Sequence, residues 1–305
     1  ALLVPRLEAP AVTDRGTLEI VAWDETDDPV ALATARAGSA ATAAIGDHTW
    51  SRFLLALQER SPATRFVPAT PLMSELRIRK DAAELDLLRQ AGAAADRVVA
   101  RLASERFAGR SETEIAGFVE AALVEEGHDV ASFAIVASGP NGASPHHHPS
   151  SRAIGEGDAV VIDFGGRLSG YHSDTTRMFS VGEPPAPVAE AFAVLRVAQA
   201  AAVEAVAPGV PAQEIDRTAR GIIEDAGYGE YFIHRTGHGI GLEVHEDPYM
   251  IEGNDRPLEV GNTFSVEPGI YVPGEFGMRI EDIVAVTADG GERLNRSDRD
   301  LCIVE

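Results

Sequence analysis

The chain has 305 residues and a formal net charge of −22, with 45% hydrophobic and 24% charged residues. This length is enough for two compact domains, and the composition is that of an ordinary globular protein. The acidic balance argues against nucleic acid as a partner, because binding phosphates requires a basic surface. Apolar runs such as Ala159–Ile162 and Thr263–Val266 are too short to span a bilayer, so we expect no membrane association. The single cysteine, Cys302, cannot form an internal disulfide, which fits a cytoplasmic protein.

The first 72 residues alternate short strand-like and helix-like runs. Leu18–Trp23 has the pattern of a strand and Trp50–Glu59 that of a helix. A cluster of prolines near the end of this segment indicates a domain boundary: Pro62, Pro68 and Pro71. We therefore predict a small α/β domain over residues 1–72 and a larger domain over residues 73–305. The chain opens on what reads as the end of a strand and does not begin with Met, so we expect natural residues upstream.

The larger domain has the patterns of both helices and strands. Apolar residues at helical spacing predict a long helix from Lys80 to Phe107. Ser111 and Glu114 have the spacing of a capping box, which opens a second helix that ends near Gly127. The remaining predicted elements are the helices Pro187–Val206 and Ala212–Ala226 and the strands Asp158–Phe164, Tyr171–Val181, Thr263–Val272 and Met278–Thr287.

Two parts of this domain resemble each other weakly. Glu114–Gly127 is similar to Glu214–Gly227 at an offset of 100 residues. The strands that end in Asp163 and Glu267 correspond at an offset of 104 residues, and each follows a Gly-led turn. The repeat predicts two related α+β halves about an approximate twofold axis, with both carboxylates facing one cleft. Chance similarity of two helix–strand units is the alternative.

Two acidic residues of the first half interrupt apolar strands. Asp163 ends the run Val160–Ile162, and Asp174 follows 11 residues later, a spacing that suits a hairpin. A carboxylate on an apolar strand is costly unless it is paired or bound to a metal. The alternative for Asp163 alone is a residue that caps a turn, but the pair favours a metal.

Three histidines and three glycines interleave in a short segment of the second half: His234, Gly237, His238, Gly239, Gly241 and His245. This is not a helical pattern, and we expect the glycines to let the backbone approach a ligand closely. Histidine binds metals and also transfers protons. A lone histidine is more often a hydrogen-bonded structural residue, but three so close together favour a functional site.

Glu267 and Glu281 are the last carboxylates on apolar strands. With Asp163 and Asp174 they make four carboxylates that cannot share a cleft without cations. An oxygen-rich set with one imidazole suits Mn²⁺, Co²⁺, Fe²⁺ or Zn²⁺. Four carboxylates and one histidine are enough ligands for two ions.

These motifs together resemble those of the M24 metallopeptidase family, which includes methionine aminopeptidases, aminopeptidase P and prolidase. The matching segments are GYHSDTTR (Gly170–Arg177), HRTGHGIGLEVHEDP (His234–Pro248), VEPGIY (Val266–Tyr271) and RIED (Arg279–Asp282). The resemblance covers roughly residues 74–305. It implies an α+β pita-bread catalytic domain with pseudo-twofold halves. The preceding residues resemble a truncated creatinase-type N-terminal domain.

The resemblance implies a metal-binding role for five residues. Asp163 would bind one ion alone, and Asp174 and Glu281 would bridge two ions. His238 and Glu267 would bind the second ion. Glu267 would also exchange a proton with the bridging hydroxide that attacks the peptide. Mn²⁺ is favoured as the metal, with Co²⁺, Zn²⁺ and Fe²⁺ as alternatives.

The resemblance also implies residues that contact the substrate. His245 would stabilise the tetrahedral intermediate or orient the substrate, and His234 and Arg279 would line the pocket. In the run His146–His148, we assign the substrate contact to His146 because it follows a proline. The other two histidines of the run are expected to be exposed in a loop.

The implied activity is hydrolysis of the peptide bond before proline. The compact chain favours an Xaa-Pro dipeptidase, and aminopeptidase P, which acts on longer Xaa-Pro-Yaa peptides, is the alternative. The partners are then short proline-containing peptides and, as is common in the family, a second copy of the chain. A metal-free creatinase is disfavoured because all five ligand positions carry ligand-type residues. A metal-dependent lyase and a non-catalytic binding module on the same fold are further alternatives.

Overall fold

The computed structural model describes residues 1–13 and 16–305. These residues divide into an N-terminal unit, Ala1–Ser74, and a C-terminal unit, Glu75–Glu305. The boundary predicted after residue 72 lies close to this division. The relation of the N-terminal unit to a creatinase-type domain, and the predicted domain limits, stay predictions.

The N-terminal unit contains two pairs of short parallel strands and the helices between them. β1 (Leu2–Pro5) pairs with β2 (Ile20–Trp23), and β3 (Thr42–Ile45) pairs with β4 (Arg65–Pro68). Its helices are α1 (Pro29–Ala37), α2 (Ser51–Arg60) and α3 (Thr70–Arg77), whose last residues belong to the C-terminal unit. The strand predicted at 18–23 and the helix predicted at 50–59 are both present, with slightly shifted limits.

The C-terminal unit contains longer helices and two larger sheets. Its helices are α4 (Ala82–Leu102), α5 (Glu112–Glu125), α6 (Ala186–Glu204) and α7 (Ala212–Asp225). Its strands are β5 (Val130–Ser138), β6 (Ala159–Leu168), β7 (Tyr171–His172), β8 (Thr175–Val181), β9 (Gly237–Gly239), β10 (Glu246–Met250), β11 (Thr263–Val266), β12 (Gly269–Val272), β13 (Phe276–Arg279), β14 (Asp282–Thr287), β15 (Gly290–Arg293) and β16 (Cys302–Val304).

The two sheets have different strand orders. The first sheet has the order β16-β8-β6-β5, with β7 paired to β6, and the second has the order β10-β9-β11-β14-β15. The strands β12 and β13 form a separate antiparallel pair. In the first sheet β6 runs antiparallel to β8, with Asp163 opposite Thr176. The hairpin predicted between Asp163 and Asp174 is therefore present.

Each half of the C-terminal unit buries apolar side chains between helices and a sheet. One cluster includes Leu123 of α5 and Ile162 of β6, and a larger cluster includes Leu195 of α6, Ile215 of α7 and Phe264 of β11. All five side chains are fully buried, which stabilises the packing of helix on sheet through the hydrophobic effect. Two successive helices on a sheet thus occur twice, as the weak repeat predicts.

Helix α6 is long and apolar enough to cross a membrane by length and composition alone. Its residues Leu195, Ala198 and Ala202 are fully buried in the larger apolar cluster. Core helices of globular proteins have this composition too, and α6 packs as one of them. No other helix in the described part of the chain meets the same test.

The helix predicted from Lys80 to Phe107 is too long at both ends. Asp81 caps α4 by accepting hydrogen bonds from the N–H groups of Ala83 and Glu84, so the helix begins at Ala82. Lys80 lies before this cap, and its Nζ atom donates to Glu246 in a buried ion pair of 2.6 Å. The capping box predicted for α5 is present, since Ser111 Oγ accepts from Glu114 N–H and Glu114 Oε2 accepts from Ser111 N–H.

Three predicted strands are each interrupted where they carry a candidate metal ligand. The segment 171–181 forms β7 and β8, with Asp174 between them. The segment 263–272 forms β11 and β12, with Glu267 between them, and Glu281 lies between β13 and β14. Inside a paired strand the backbone hydrogen bonds fix the face of the sheet to which a side chain points. At an interruption between two strands, a side chain is free to point into the space between the sheets. The sequence pattern of apolar residues does not reveal such breaks.

Candidate active site and metal centre

A cavity of about 1040 Å³ lies in the C-terminal unit. Side chains from both halves line it, and they include every residue that the sequence singled out for the site. These are His146, Asp163, Asp174, His234, His238, His245, Glu267, Arg279 and Glu281. The volume is at the upper end of the range of small-molecule sites. One cavity therefore collects residues that are separated by up to 135 positions in the chain.

Three buried side chains in this cavity have the arrangement of a metal site. Ligand atoms of Asp174, His238 and Glu281 all lie within 4.8 Å of one another. The Nε2 atom of His238 is 3.2 Å from Glu267 Oε1 and 3.7 Å from Asp174 Oδ2. Asp163 also lines the cavity and is buried on β6. The five predicted ligands therefore line one cavity. Three of them, Asp174, His238 and Glu281, are close enough together to bind the same ion.

Two carboxylate oxygens at this site lack hydrogen-bond partners. Asp163 Oδ1 and Glu281 Oε1 are buried and accept no hydrogen bond from the described residues. The other oxygen of each group is occupied, because Asp163 Oδ2 accepts from Arg279 at 2.5 Å and Glu281 Oε2 accepts from Thr176 Oγ1 at 2.7 Å. Unpaired buried acceptors cost free energy, and a bound cation would satisfy them.

Repulsion between these carboxylates also favours a bound cation. Burial, followed by the repulsion of Glu281, Asp163 and Glu267, raises the pKa of Asp174 well above its usual range. Burial and neighbouring carboxylates raise the pKa of Glu281 in the same way. Burial opposes ionisation of Glu267 too, but a protonated His238, through its hydrogen bond and charge, lowers the pKa of Glu267 to about 2; a bound cation would take the place of that charge when His238 is neutral. The residues present fit divalent ions, which would keep all the carboxylates ionised.

The orientation of His238 fits the same role. Its Nδ1 atom lies 3.1 Å from the carbonyl oxygen of Gly239, and because a carbonyl can only accept, Nδ1 carries a proton. In the neutral ring this leaves the Nε2 lone pair directed toward Asp174 and Glu267. A hydrogen bond from the distal nitrogen to a backbone carbonyl is the usual support of a metal-binding histidine.

The glycines around His238 serve the packing of strands. A Cβ atom on Gly237 would lie 1.8 Å from the carbonyl oxygen of Ser265, and one on Gly239 would lie 2.3 Å from that of Asp247. Glycine is therefore needed for β9 to fit between β10 and β11. The close neighbours of these two glycines are thus backbone atoms of adjacent strands, and the expectation that the glycines of this segment allow approach to a ligand stays a prediction.

His245 and His234 both line the cavity but have different neighbours. The ring of His245 is 4.1 Å from that of His238, and burial, His238 and Arg235 lower its pKa to about 4. His234 is held by a chain in which Arg279 donates to Tyr271 Oη at 2.7 Å and Tyr271 Oη contacts His234 Nε2 at 2.9 Å. Burial lowers the pKa of His234 as well, so both rings are neutral at neutral pH.

The run of three histidines splits into two kinds of residue. His146 and His148 are exposed at the cavity, as a loop residue would be. His147 is half-buried, and its Nε2 atom lies 2.8 Å from Glu112 Oε2. The expectation that His147 is exposed is therefore wrong, because a buried carboxylate binds its ring.

Four residues near the site were missed by the sequence analysis: Glu112, Thr176, Arg235 and Tyr271. Thr176 and Tyr271 lie inside the quoted motifs, but nothing in the pattern separates them from ordinary strand residues. The guanidinium of Arg235 lies over the ring of Tyr249, with 4.9 Å to its centroid, and its Nε atom is buried without a hydrogen-bond partner. Nothing in the sequence around Arg235 predicts that its guanidinium stacks on Tyr249 or that its Nε atom is unpaired.

Comparison with known proteins decides the family. Residues 86–288 match the model of metallopeptidase family M24. The chain belongs to this family. It is therefore a metal-dependent peptidase with the pita-bread fold, as the motifs predicted. The M24 chain is 46% identical over 312 aligned positions to a protein of Mycobacterium tuberculosis named probable dipeptidase PepE, covering 100% of this chain and 82% of that protein.

Solved structures of other M24 proteins resemble this one closely. The prolidase from Thermococcus sibiricus is 41% identical with a TM-score of 0.92, over 98% of this chain and 83% of that chain. The X-Pro aminopeptidase from Thermotoga maritima is 32% identical with a TM-score of 0.89, over 99% of this chain and 87% of that chain. Both relatives support the pita-bread architecture.

Proposed function

We propose that this M24 peptidase is a two-metal Xaa-Pro dipeptidase. The observation that carries the proposal is a set of three buried carboxylates, the half-buried Glu267 and one histidine around a common space, with two carboxylate oxygens left unpaired. Relatives named dipeptidase and prolidase, at 46% and 41% identity, support the substrate class. Proline-containing dipeptides are accordingly the proposed substrates.

The proposed ligands are the five residues singled out from the sequence. Asp174 and Glu281 are the shared ligands, a role supported by their closeness to each other and to His238. Asp163 would be a further ligand of one ion, and His238 and Glu267 would be further ligands of the other ion. Two divalent ions held by these residues would supply an activated water at neutral pH and would polarise the peptide carbonyl. The oxygen-rich ligand set favours Mn²⁺, with Co²⁺, Zn²⁺ and Fe²⁺ as alternatives.

The protein's own groups would move the protons. A bound ion would hold Glu267 as a carboxylate, and the Oε1 atom of Glu267 accepts from Ser265 Oγ at 3.0 Å. It is the proposed base that takes the proton of the attacking water and delivers it to the nitrogen of the leaving proline. His245, neutral with one N–H, is the proposed donor to the oxyanion that develops on the carbonyl. His146 and His234 are proposed to orient the substrate at the cavity wall.

All three guanidinium nitrogens of Arg279 are hydrogen-bonded within the protein. Its guanidinium donates to Asp163 Oδ2, to Tyr271 Oη, to Thr176 Oγ1 and weakly to the Pro145 carbonyl at 3.4 Å. We therefore propose that Arg279 orients Asp163 rather than reading the peptide.

The carboxylate that distinguishes a dipeptide needs another cation in the cavity. Arg235 lines the cavity and forms no ion pair with the described residues, and its buried Nε atom has no partner. A guanidinium matches a carboxylate through two parallel hydrogen bonds. Arg235 is the proposed anchor for the C-terminal carboxylate of Xaa-Pro.

Aminopeptidase P activity is the second candidate. The cavity of about 1040 Å³ is larger than a dipeptide requires, and the Thermotoga X-Pro aminopeptidase resembles the chain over 99% of its length. A longer Xaa-Pro-Yaa peptide is the substrate that this alternative predicts.

The test compares three peptides on the protein loaded with Mn²⁺: Xaa-Pro, its amide Xaa-Pro-NH₂, and Xaa-Pro-Yaa. Hydrolysis of Xaa-Pro with little cleavage of the other two supports the dipeptidase. Efficient cleavage of Xaa-Pro-Yaa instead identifies an aminopeptidase. Asp174→Asn should abolish either activity, and Asp225→Asn, on the exposed end of α7, is the control.

Failure of all three peptides with Mn²⁺, Co²⁺ and Zn²⁺ would reject the proline peptidase. Metal content then separates the remaining alternatives, because a lyase retains stoichiometric metal and a binding module does not. A homodimer and a cytoplasmic location are predictions from the sequence alone, and light scattering and cell fractionation test them.

A further inference from the structure

A second buried carboxylate network lies beside the cavity, apart from the metal centre. Glu112, the first residue of α5, is completely buried. Its Oε1 atom accepts hydrogen bonds from Ser138 N–H at 2.8 Å, Ser138 Oγ at 2.7 Å and Asn141 Nδ2 at 3.0 Å. Its Oε2 atom accepts from His147 Nε2 at 2.8 Å, Ser150 N–H at 3.0 Å and Ser150 Oγ at 2.6 Å.

All of these partners can donate, so the network requires the ionised carboxylate. Burial raises the pKa of Glu112, but the hydrogen bonds from Ser150, Asn141 and Ser138 outweigh burial and lower it to about 2. Because a carboxylate can only accept, the proton of His147 must reside on Nε2. The start of helix α5 favours the same negative charge. At neutral pH Glu112 is thus an ionised carboxylate whose two oxygens both accept several hydrogen bonds.

The partners of Glu112 surround one wall of the cavity. Ser138 ends β5, Asn141 lies in the short turn Gly139–Ala143, and Ser150 follows the histidine loop, which we define as Ser144–Pro149. All six residues of the histidine loop line the cavity. The loop contains no helix or strand of its own. The chain on both sides of the loop, and His147 within it, are therefore tied to a single carboxylate.

We propose that Glu112 is a positioning residue that holds the histidine loop as a rigid wall of the active site, and that His147 is the tie through which it presents His146 to the substrate. Glu112 does not line the cavity. It acts through the loop, and the proposal holds for a dipeptide and for a longer peptide alike. It rests on the proposed peptidase site but not on its exact substrate.

A buried carboxylate of the second half holds another segment that lines the cavity, around His234. Asp216 of α7 accepts from Thr236 N–H at 2.8 Å and from Thr236 Oγ1 at 2.9 Å. It also pairs with Arg220, which donates to the His234 carbonyl at 2.7 Å. Helices α5 and α7 correspond in the repeat, so each half uses a helical carboxylate to hold a segment that lines the cavity.

A purely structural role for Glu112 predicts a different outcome from a positioning role. Loss of a buried acceptor destabilises the protein in either case. Only a positioning role changes substrate binding at a temperature where the variant is fully folded and fully loaded with metal. The variants are Glu112→Gln, His147→Ala and the double variant. Glu292→Gln is the control, because Glu292 is paired with Arg89 outside the cavity.

Kinetics and hydrogen exchange are measured well below the melting temperature of each variant. For Glu112→Gln we expect KM for the best peptide to rise about tenfold or more, with metal content unchanged and faster amide exchange over residues 138–150. His147→Ala should give a smaller rise of the same kind. The double variant should resemble Glu112→Gln, because residues that act as one unit are not additive.

Two results would overturn the proposal. One is an unchanged kcat and KM for a folded Glu112→Gln variant that merely melts at a lower temperature. The second result applies if Glu112→Gln does not fold, and it comes from His147→Ala, which leaves the other hydrogen bonds of Glu112 in place. An unchanged KM together with unchanged amide exchange of the histidine loop in His147→Ala would refute the proposal. If the parent protein cleaves no peptide, the peptidase assignment fails, and the exchange of the loop still reports whether Glu112 holds it.

Discussion

Thr176 and Glu281 join the two halves of the C-terminal unit at the candidate metal centre. The hydroxyl of Thr176 donates to Glu281 Oε2 at 2.7 Å, and the backbone N–H of Glu281 donates to the Thr176 carbonyl at 3.2 Å. Thr176 belongs to β8 of the first sheet, and Glu281 directly precedes β14 of the second. The same pair therefore connects the sheets and orients a proposed shared ligand.

Replacing Thr176 with valine keeps the shape of the side chain and removes this donor. Glu281 and Arg279 both lose a hydrogen bond, so we expect the affinity for Mn²⁺ to fall about 10–100-fold, the usual cost of a lost partner behind a metal ligand. Calorimetric titration of the metal-free protein measures this. Thr218→Val, which removes a hydroxyl bonded within α7, should bind Mn²⁺ normally. Equal affinities of both variants would mean that Thr176 does not support the ligand.

Arg235→Met should erase the preference for a free carboxylate. We expect kcat/KM for Xaa-Pro to fall about 10–100-fold, since a charge-assisted pair contributes about 1.5–3 kcal/mol, while Xaa-Pro-NH₂ is little affected. Arg196→Met, which removes a guanidinium paired with the exposed Asp300, is the control. A variant that keeps the parent's ratio between the two peptides would show that another group reads the carboxylate. A parent that cleaves both peptides equally would instead count against the dipeptidase.

The stability contributed by Glu112 depends on pH in a defined direction. Its pKa of about 2 in the folded state lies below the ordinary value of 4.5, so its contribution is complete above pH 4.5 and disappears as the pH falls toward 2. A shift of this size corresponds to about 3 kcal/mol of free energy of unfolding. The difference in that free energy between the parent and Glu112→Gln, both free of metal, should shrink steadily from pH 5 to pH 2. A difference that does not change with pH would contradict an ionised Glu112.

Gly237→Ala should disrupt the strand that carries His238. The added Cβ atom would lie 1.8 Å from the carbonyl oxygen of Ser265, and neither backbone can move without separating β9 from β11. We expect a large loss of thermal stability and of metal binding together. Gly221→Ala in α7 meets no atom within 4 Å and should instead stabilise the protein by about 0.5–1 kcal/mol. Unimpaired metal binding by Gly237→Ala would show that β9 tolerates the displacement.

The fold and the membership of the site could be predicted largely from the sequence. Carboxylates on apolar strands and clustered histidines are costly in a core, so residues such as Asp163 and His238 stand out without a structure. The strand breaks at Asp174, Glu267 and Glu281 could not be predicted, because the apolar pattern continues through them. Glu112 was missed for a related reason, since glutamate in the first turn of a helix is usually exposed and needs no partner.

The roles of the arginines show the same limit. Both Arg235 and Arg279 line the cavity, and sequence patterns cannot distinguish a guanidinium whose three nitrogens are all hydrogen-bonded within the protein from one with an unpaired nitrogen. That distinction depends on contacts between residues far apart in the chain. Arg279 pairs with Asp163 of the other half, whereas Arg235 retains an unpaired buried N–H.

The central claim is that the five ligands hold two divalent ions, and the metal content of the protein tests it most directly. The protein is stripped with a chelator, reloaded with Mn²⁺ and freed of excess metal before elemental analysis, in parallel with Asp174→Asn. The account predicts two ions per chain in the parent and a loss of stoichiometric metal in the variant. A parent that retains no stoichiometric metal, or a variant that retains as much as the parent, would contradict it.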